Sequence, residues 1–167
     1  MVEKYNSICS RLSMISKLKY TGVSTEDLLD IYKLFIRSKA KYMSALWHSG
    51  LTQEEEQKIE NIQKSSLKII LQEMFINYDT ALEICALQKL SERRKSHCLS
   101  FAKRCLKNVQ TRSMFPLNPD LPQNLRHPEK YQVNFTHTES YKNSTVPYCQ
   151  RLLNQDYLDK ELKRTQI

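Results

Sequence analysis

Glycine is scarce in this chain of 167 residues, in which only Gly22 and Gly50 occur. β-Sandwiches and barrels need many tight turns, and phosphate-binding loops need closely spaced glycines, so neither is indicated. No apolar run approaches the roughly 18 residues that span a bilayer. Residues 1–6 (Met-Val-Glu-Lys-Tyr-Asn) also lack the apolar core of a signal peptide. We therefore predict an intracellular protein of the cytoplasm or nucleus, neither secreted nor bound to a membrane.

The chain also lacks a cysteine pattern typical of disulfides or of a metal site. The chain has five cysteines, an odd number, and no Cys-x-x-Cys motif. Cys98 and Cys105 share a face of a predicted helix, but they lie two turns apart, too far for both to bind one zinc ion directly. We predict free thiols packed in the core of a protein from a reducing compartment, with no metal and no cofactor.

No arrangement typical of a catalytic centre is present. The four histidines (His48, His97, His127, His137) have no sequence relation to a particular nucleophile. The acidic runs at residues 26–27 and 54–56 fall in the first turns of predicted helices, where negative charge complements the helix dipole. We therefore predict that the chain by itself is not an enzyme and has no small-molecule substrate.

Helical periodicity dominates residues 3–108 and predicts an all-α, short antiparallel bundle of about five helices. The predicted helices span residues 3–20, 24–47, 52–71, 80–87 and 92–108. Their expected N-terminal caps are Ser24, Thr52 with Glu55, Asp79 and Ser91, and Gly22 is expected to end the first helix. The apolar face expected for the second helix consists of Leu28, Tyr32, Phe35, Tyr42 or Met43, and Leu46.

Proline marks the predicted domain boundary after residue 108. Four prolines fall within 13 residues: Pro116, Pro119, Pro122 and Pro128. We predict a helical domain over residues 1–108 and an extended tail over 109–167, poorly packed between 109 and 140. The tail is expected to end in a short helix near 145–154, with Pro147 in its first turn.

Basic side chains form two candidate binding surfaces, and the net charge is +8. Lys33, Arg37 and Lys41 repeat every four residues, which predicts one face of the second helix, opposite its apolar side. The fifth helix is also rich in basic residues, among them Arg93, Lys103 and Arg104. Such arrays can hold a phosphate backbone, but a solvated helix face can be equally rich in lysine, and both interpretations stay open.

Motifs along nearly the whole chain carry a family resemblance. They comprise residues 8–12 (Ile-Cys-Ser-Arg-Leu), 18–24 (Leu-Lys-Tyr-Thr-Gly-Val-Ser), 27–38 (Asp-Leu-Leu-Asp-Ile-Tyr-Lys-Leu-Phe-Ile-Arg-Ser), 46–52, 59–71 (Ile-Glu-Asn-Ile-Gln-Lys-Ser-Ser-Leu-Lys-Ile-Ile-Leu), 90–94, 101–107, 114–118 and 141–148. In this order they resemble the segment after the polymerase core of reverse transcriptases from non-long-terminal-repeat (LINE-type, jockey-like) retrotransposons. Residues 38–41 (Ser-Lys-Ala-Lys) depart from the family, which tends to be apolar there.

The resemblance implies the thumb and C-terminal tail of an RNA-directed DNA polymerase. The palm, with the Ala-Asp-Asp motif that binds the catalytic metals, would precede Met1, and no Asp-Asp pair occurs in this sequence. Such a thumb would grip an RNA or DNA backbone weakly and non-specifically, through Lys33, Arg37, Lys41, Arg93, Lys103 and Arg104, and would face the palm. The alternatives are a host-retained helical module that binds another protein and a relic without function.

Overall fold

The computed structural model describes the backbone of residues 2–119 and 129–165, and the side chains of residues 10–119 and 129–164. Its secondary structure is helical, and within those residues the only extended pairing is an isolated bridge between Leu117 and Tyr131. The all-α class is therefore confirmed. Within the same residues, no helix is both long enough and apolar enough to cross a membrane.

The chain divides into two compact units, described separately below. The first unit comprises Met1–Met43 and Leu51–Arg94, and the second comprises Ser44–Gly50 and Lys95–Ile167. These limits differ from the predicted boundary after residue 108. The predicted tail belongs to a unit with its own core, which also takes in the short segment Ser44–Gly50.

The first unit begins with helix α1 (Val2–Tyr20), which packs against α5 (Gln53–Leu71). Gly22 follows α1 at a φ of +87°, where glycine is favoured, and the Val23 amide donates to the Leu18 carbonyl at 3.2 Å. Thr52 and Glu55 form the predicted capping box of α5. These helix ends are as predicted because the capping interactions are local.

The inner face of α5 is buried as the periodicity predicts. Ile59, Ile62, Ser66, Leu67 and Ile70 are all shielded from solvent. Gln63 is fully buried among them. A buried amide must find hydrogen-bond partners from other elements, and those partners organise the candidate site.

The second predicted helix is shorter and less regular than expected. It consists of α2 (Thr25–Ile31), a π-helical segment (Tyr32–Arg37) and α3 (Ser38–Lys41). The chain then turns at Met43, whose φ is +51°, before the short helices α4 (Ser44–Trp47) and 3₁₀ His48–Gly50. The predicted continuation to Trp47 is therefore wrong, because the positive φ at Met43 is incompatible with a right-handed helix.

The apolar face of this helix also differs from the prediction. Leu28, Tyr32, Ile36 and Ala40 are buried, whereas Phe35, Tyr42, Met43 and Leu46 are exposed. The π-helical segment bonds i to i+5 and so widens the turn, which changes which side chains point inward. The expected face beyond Tyr32 was therefore wrong.

The N-terminal caps of two helices, α6 (Tyr78–Ile84) and α7 (Leu90–Lys107), were predicted at the wrong residues. Helix α6 is capped by Asn77, whose side chain accepts from the Thr80 amide, and not by Asp79. Helix α7 begins before Ser91, and its Leu90 and Ser91 amides donate to the Glu60 carboxylate of α5. A carboxylate from another helix thus replaces the local serine cap.

The second unit has a core formed by α7, the segment after it that was predicted to be a tail, and α9 (Thr145–Thr165). This core consists of Cys98, Ala102, Cys105, Phe115, Cys149, Leu152 and Leu153. Helix α8 (Glu139–Lys142) and the α4 segment both pack against α9. Pro147 lies in the first turn of α9 as predicted, but the helix extends well beyond the predicted end near residue 154.

The predicted tail is held by two buried amides of α9. Asn154 accepts from the Tyr131 amide and donates to the Tyr131 carbonyl, each at 2.8 Å. Gln150, one turn earlier, accepts from the Asn134 amide at 3.0 Å and donates to the Met114 carbonyl at 2.9 Å. The predicted tail is thus attached to α9 at Met114, Tyr131 and Asn134 and buries Phe115, whereas Val109 and Phe135 are largely exposed. Pro122 and Pro128 lie outside the described residues.

Candidate functional site

The six basic residues singled out from the sequence have different surroundings. Arg37, Lys41 and Arg93, all in the first unit, are brought within electrostatic reach of one another. Lys33 is exposed and pairs with Asp30 at 3.1 Å on its own helix. Lys103 and Arg104 belong to the second unit. We call Arg37, Lys41 and Arg93 the cationic cluster.

Arg37 is buried, with only 8% of its surface exposed. The π-helical segment places it on the inner side with Tyr32 and Ile36, so the prediction that Lys33, Arg37 and Lys41 share one exposed face is wrong for Arg37. Its Nη2 donates to the Gln88 carbonyl at 3.0 Å. Its Nε is buried and has no hydrogen-bond partner among the described residues.

Arg93 approaches Arg37 from helix α7. Its amide donates to the Lys89 carbonyl, so it lies one turn beyond the Gln88 carbonyl that Arg37 contacts. Arg93 is half-buried, and its Nε also lacks a partner within the part of the chain that the structure describes. Two guanidinium groups therefore converge from helices that are far apart in sequence.

Lys41 completes the cluster one helical turn after Arg37. It is half-buried, and desolvation followed by the charges of Arg93 and Arg37 lowers the pKa of its ammonium group. Burial also lowers the pKa of Arg37, and Arg93 contributes in the same direction, although the field of Tyr32 opposes it. Both shifts are those expected of cations held close together and partly removed from water.

Glu60 is the carboxylate that acts on this cluster, but it is engaged elsewhere. It accepts from the Tyr78 hydroxyl and from the Leu90 and Ser91 amides at 3.1 and 3.2 Å. It favours the charged form of Arg37 only as the weakest of the contributions to that pKa. One carboxylate shared in this way cannot balance three cations.

Three uncharged side chains, Tyr32, Gln63 and Tyr78, form a hydrogen-bond network beside Arg37. The Tyr32 hydroxyl donates to Gln63 Oε1 at 2.7 Å, and Gln63 Nε2 donates to the Tyr78 hydroxyl and to the Gln88 carbonyl at 3.0 Å each. Burial raises the pKa of both Tyr32 and Tyr78, so these phenols stay protonated. The hydrogen-bond network therefore fixes the position of Arg37 without neutralising its charge.

Sequence reasoning missed this network, although one signal was available. Gln63 lies beside Ile59, Ile62 and Leu67 on the mainly apolar buried face of α5. A large polar residue in that position indicates a buried hydrogen-bonding group. The Gln88 carbonyl, by contrast, gives no sequence signal, because every residue carries one.

A polar cleft of about 270 Å³ also opens in the first unit. Its lining residues are Gln57, Glu60, Asn61, Lys64, Tyr78, Lys89 and Ser91. Lys89 pairs with Asp79 at 2.9 Å, and Gln57 donates to Asn61 at 2.9 Å. None of the six predicted basic residues lines this cleft.

The predicted basic residues of the second unit are less concentrated. Lys103 contacts Asp156 at 2.9 Å, and Lys160 contacts the same carboxylate at 2.8 Å. Burial alone would raise the pKa of Asp156, but the hydrogen bonds from Lys160 and Lys103 keep it below its usual value. Arg104 is exposed. The charge of Lys103 is thus partly compensated inside its own unit.

The described cysteines lie in the buried interior of the two units. Cys85, Cys98, Cys105 and Cys149 are buried and form no disulfide, which confirms the predicted core thiols for the cysteines whose side chains are described. Burial raises the pKa of Cys149 to about 12, so its thiol is protonated at neutral pH. No group of three or more histidine, cysteine or acidic side chains suited to a metal ion occurs among the described residues.

Comparisons with known proteins add no assignment. A scan against protein-family models found no match, and neither a search of curated proteins nor a search of solved structures found one.

Proposed function

We propose that this chain is a thumb-and-tail segment of a non-long-terminal-repeat retrotransposon reverse transcriptase, and that it contacts the phosphate backbone of a template–primer duplex. The observation that carries the proposal is the cationic cluster, in which three positive side chains converge while the nearby carboxylate of Glu60 accepts hydrogen bonds from other groups. The motif order along the sequence and the all-α fold agree with a helical thumb. Phosphate oxygens accept hydrogen bonds from arginine and lysine whatever the base sequence.

The proposed role is positioning rather than catalysis. Nucleotidyl transfer needs carboxylates that hold two metal ions, and no Asp-Asp pair occurs in the sequence. Purified chain is therefore expected to extend no primer on a primed RNA template. Extension above a mock preparation would overturn this part of the proposal.

Duplex binding tests the site. Lys41→Ala with Arg93→Ala removes two charges from the cluster and leaves the buried Arg37 in place. Lys17→Ala with Lys58→Ala removes two exposed charges from the same unit and serves as the control. Affinity for a labelled RNA–DNA duplex is measured by fluorescence anisotropy over a range of salt concentrations.

The cluster variant should bind all sequences more weakly and depend less on salt. Each phosphate neutralised contributes about 0.9 to the slope of log affinity against log salt on B-form DNA, so the slope should fall by roughly one to two. Lys33→Ala should change little, because Asp30 already pairs with that lysine. Equal affinity and equal slope in the cluster and control variants would refute the site.

A second function is favoured by a specific observation, an exposed apolar surface on the first unit. Leu34, Phe35, Tyr42 and Met43 are each more than half exposed. Such a surface is typical of protein contacts. This alternative gains support if duplex binding is absent and a partner protein is captured by the parent chain but not by a Leu34→Ser, Phe35→Ser variant.

The retroelement origin has a separate test. Sequencing the coding DNA before Met1 should reveal a continuous reading frame that encodes an Ala-Asp-Asp motif. If that frame is absent, and neither duplex nor protein binding is detected, the proposal of a relic without function replaces both alternatives.

A further inference from the structure

We propose that Arg37, Lys41 and Arg93 form a binding site for one phosphate group, held by direct hydrogen bonds from the side chains. The inference rests on the proposed function, since it assigns a defined ligand group to the same three side chains. It goes further by distinguishing a discrete anion site from a diffuse positive surface.

The first argument is the unused hydrogen-bond donors. The Nε atoms of Arg37 and Arg93 are buried and have no acceptor in the described parts of the chain. Most buried polar groups in native proteins are hydrogen-bonded, so these two donors are available to an acceptor from outside the chain. A buried charged donor without an acceptor is particularly costly.

The second argument is charge, which favours an ion over water. Three cations meet here, and Glu60 is already occupied by the Tyr78 hydroxyl and by two amides of α7. Water can satisfy a donor, but it leaves the repulsion between like charges in place. A bound anion does both, and it would shift the lowered pKa values of Lys41 and Arg37 back towards their ordinary range.

The third argument concerns the shape of the anion. Arg37 is fixed by its bond to the Gln88 carbonyl, Lys41 lies one turn away on the same chain segment, and Arg93 approaches from α7. Donors from three side chains on two segments suit a tetrahedral group with several acceptor oxygens better than a planar carboxylate, which has two. Inorganic phosphate or a phosphate monoester would offset up to two of the three charges, and a backbone phosphodiester would offset one.

Thermal unfolding with inorganic phosphate at constant ionic strength tests the proposal, with acetate as the carboxylate comparison. Phosphate should raise the Tm of the parent chain in a saturable manner, and acetate should not. Lys41→Gln with Arg93→Gln should weaken phosphate binding by at least about tenfold. Lys17→Gln with Lys58→Gln should bind phosphate like the parent.

Arg37→Lys provides a second variant that keeps the charge but lacks the Nε donor, so it remains informative if larger changes at Arg37 prevent folding. It should also bind phosphate more weakly than the parent. An equal response to acetate, or an equal phosphate response in the cluster and control variants, would overturn the proposal.

Two duplexes that differ only in a terminal phosphate distinguish the two possible sources of the phosphate group, an internal phosphodiester and a terminal monoester. Equal affinity for both, with competition by inorganic phosphate, identifies an internal phosphodiester; tighter binding of the phosphorylated end identifies a monoester. If duplex binding depends on Lys41 and Arg93 but inorganic phosphate neither binds nor competes, the discrete site fails and the proposed function stands. If phosphate binds the cluster but the duplex does not, the proposed function fails and the site stands.

Discussion

Gln63 is a polar residue among apolar neighbours on α5, and its side chain makes three hydrogen bonds to other elements of the first unit. Its amide accepts from the Tyr32 hydroxyl and donates to the Tyr78 hydroxyl and the Gln88 carbonyl. The Gln88 carbonyl also accepts a hydrogen bond from Arg37 Nη2. A single amide thus fixes the surroundings of the buried guanidinium, and its replacement should disturb both stability and the cationic cluster.

At the residue scale we expect Gln63→Ala to lower the free energy of unfolding by about 3 kcal/mol, because it orphans the buried Tyr32 hydroxyl and leaves a cavity. Gln57→Ala on the exposed side of the same helix is the control and should stay within about 0.5 kcal/mol of the parent. Urea unfolding measures both. Equal stability of the two variants would show that the network around Gln63 contributes little.

Among the helices, α9 holds the extended segment that precedes it in the chain. Gln150 and Asn154 lie one turn apart on its buried side, and together they bind backbone groups of Met114, Tyr131 and Asn134. One edge of the Tyr131 segment pairs with residues 116–118, since the Asn118 amide donates to the Lys130 carbonyl and the Gln132 amide donates to the Pro116 carbonyl. The side-chain amides of α9 satisfy backbone groups that this pairing leaves over.

We expect Asn154→Ala to release the segment around Tyr131 from α9, since both backbone groups of Tyr131 lose their partner. Hydrogen exchange should show loss of protection at the Tyr131 amide, and stability should fall by about 2 kcal/mol. Gln155→Ala replaces the exposed neighbour on the same helix and should change neither quantity. Unchanged protection of Tyr131 in Asn154→Ala would contradict this role.

At the scale of the whole molecule, each unit has its own buried core. Leu28 of the first unit and Leu153 of the second are almost completely shielded, whereas Leu34 and Leu162 on the corresponding helices are 68% and 60% exposed. The same leucine-to-alanine change can therefore be made inside and outside both cores. The four variants test whether the former tail is as firmly packed as the helices that precede it.

Leu28→Ala and Leu153→Ala should each cost about 3 kcal/mol, from lost apolar burial and the cavity left behind. Leu34→Ala and Leu162→Ala should remain within about 0.5 kcal/mol of the parent. Chemical unfolding followed by circular dichroism makes the comparison. A loss for Leu153→Ala no larger than that for Leu162→Ala would argue that the second core contributes little to stability.

Local chemistry determined the helical class and several helix ends. The caps at Gly22 and at Thr52 with Glu55 depend on residues within a few positions of each other, so the sequence predicts them directly. The buried stripe of α5 follows from its period for the same reason. The sequence singled out six basic residues on two separate surfaces and did not predict that any of them converge: Arg37, Lys41 and Arg93 belong to the cationic cluster, whereas Lys33, Lys103 and Arg104 do not.

Tertiary structure alone decided the features that depend on distant partners. Arg37 is buried because a π-helical segment turns it inward and its Nη2 donates a hydrogen bond to the Gln88 carbonyl, 51 residues away. The cap of α7 comes from Glu60, 30 residues before Leu90, and the Tyr131 segment is held by Asn154, 23 residues later. Periodicity and capping rules describe neighbours along the chain, whereas the burial of a polar group depends on which remote donor or acceptor the fold brings to it.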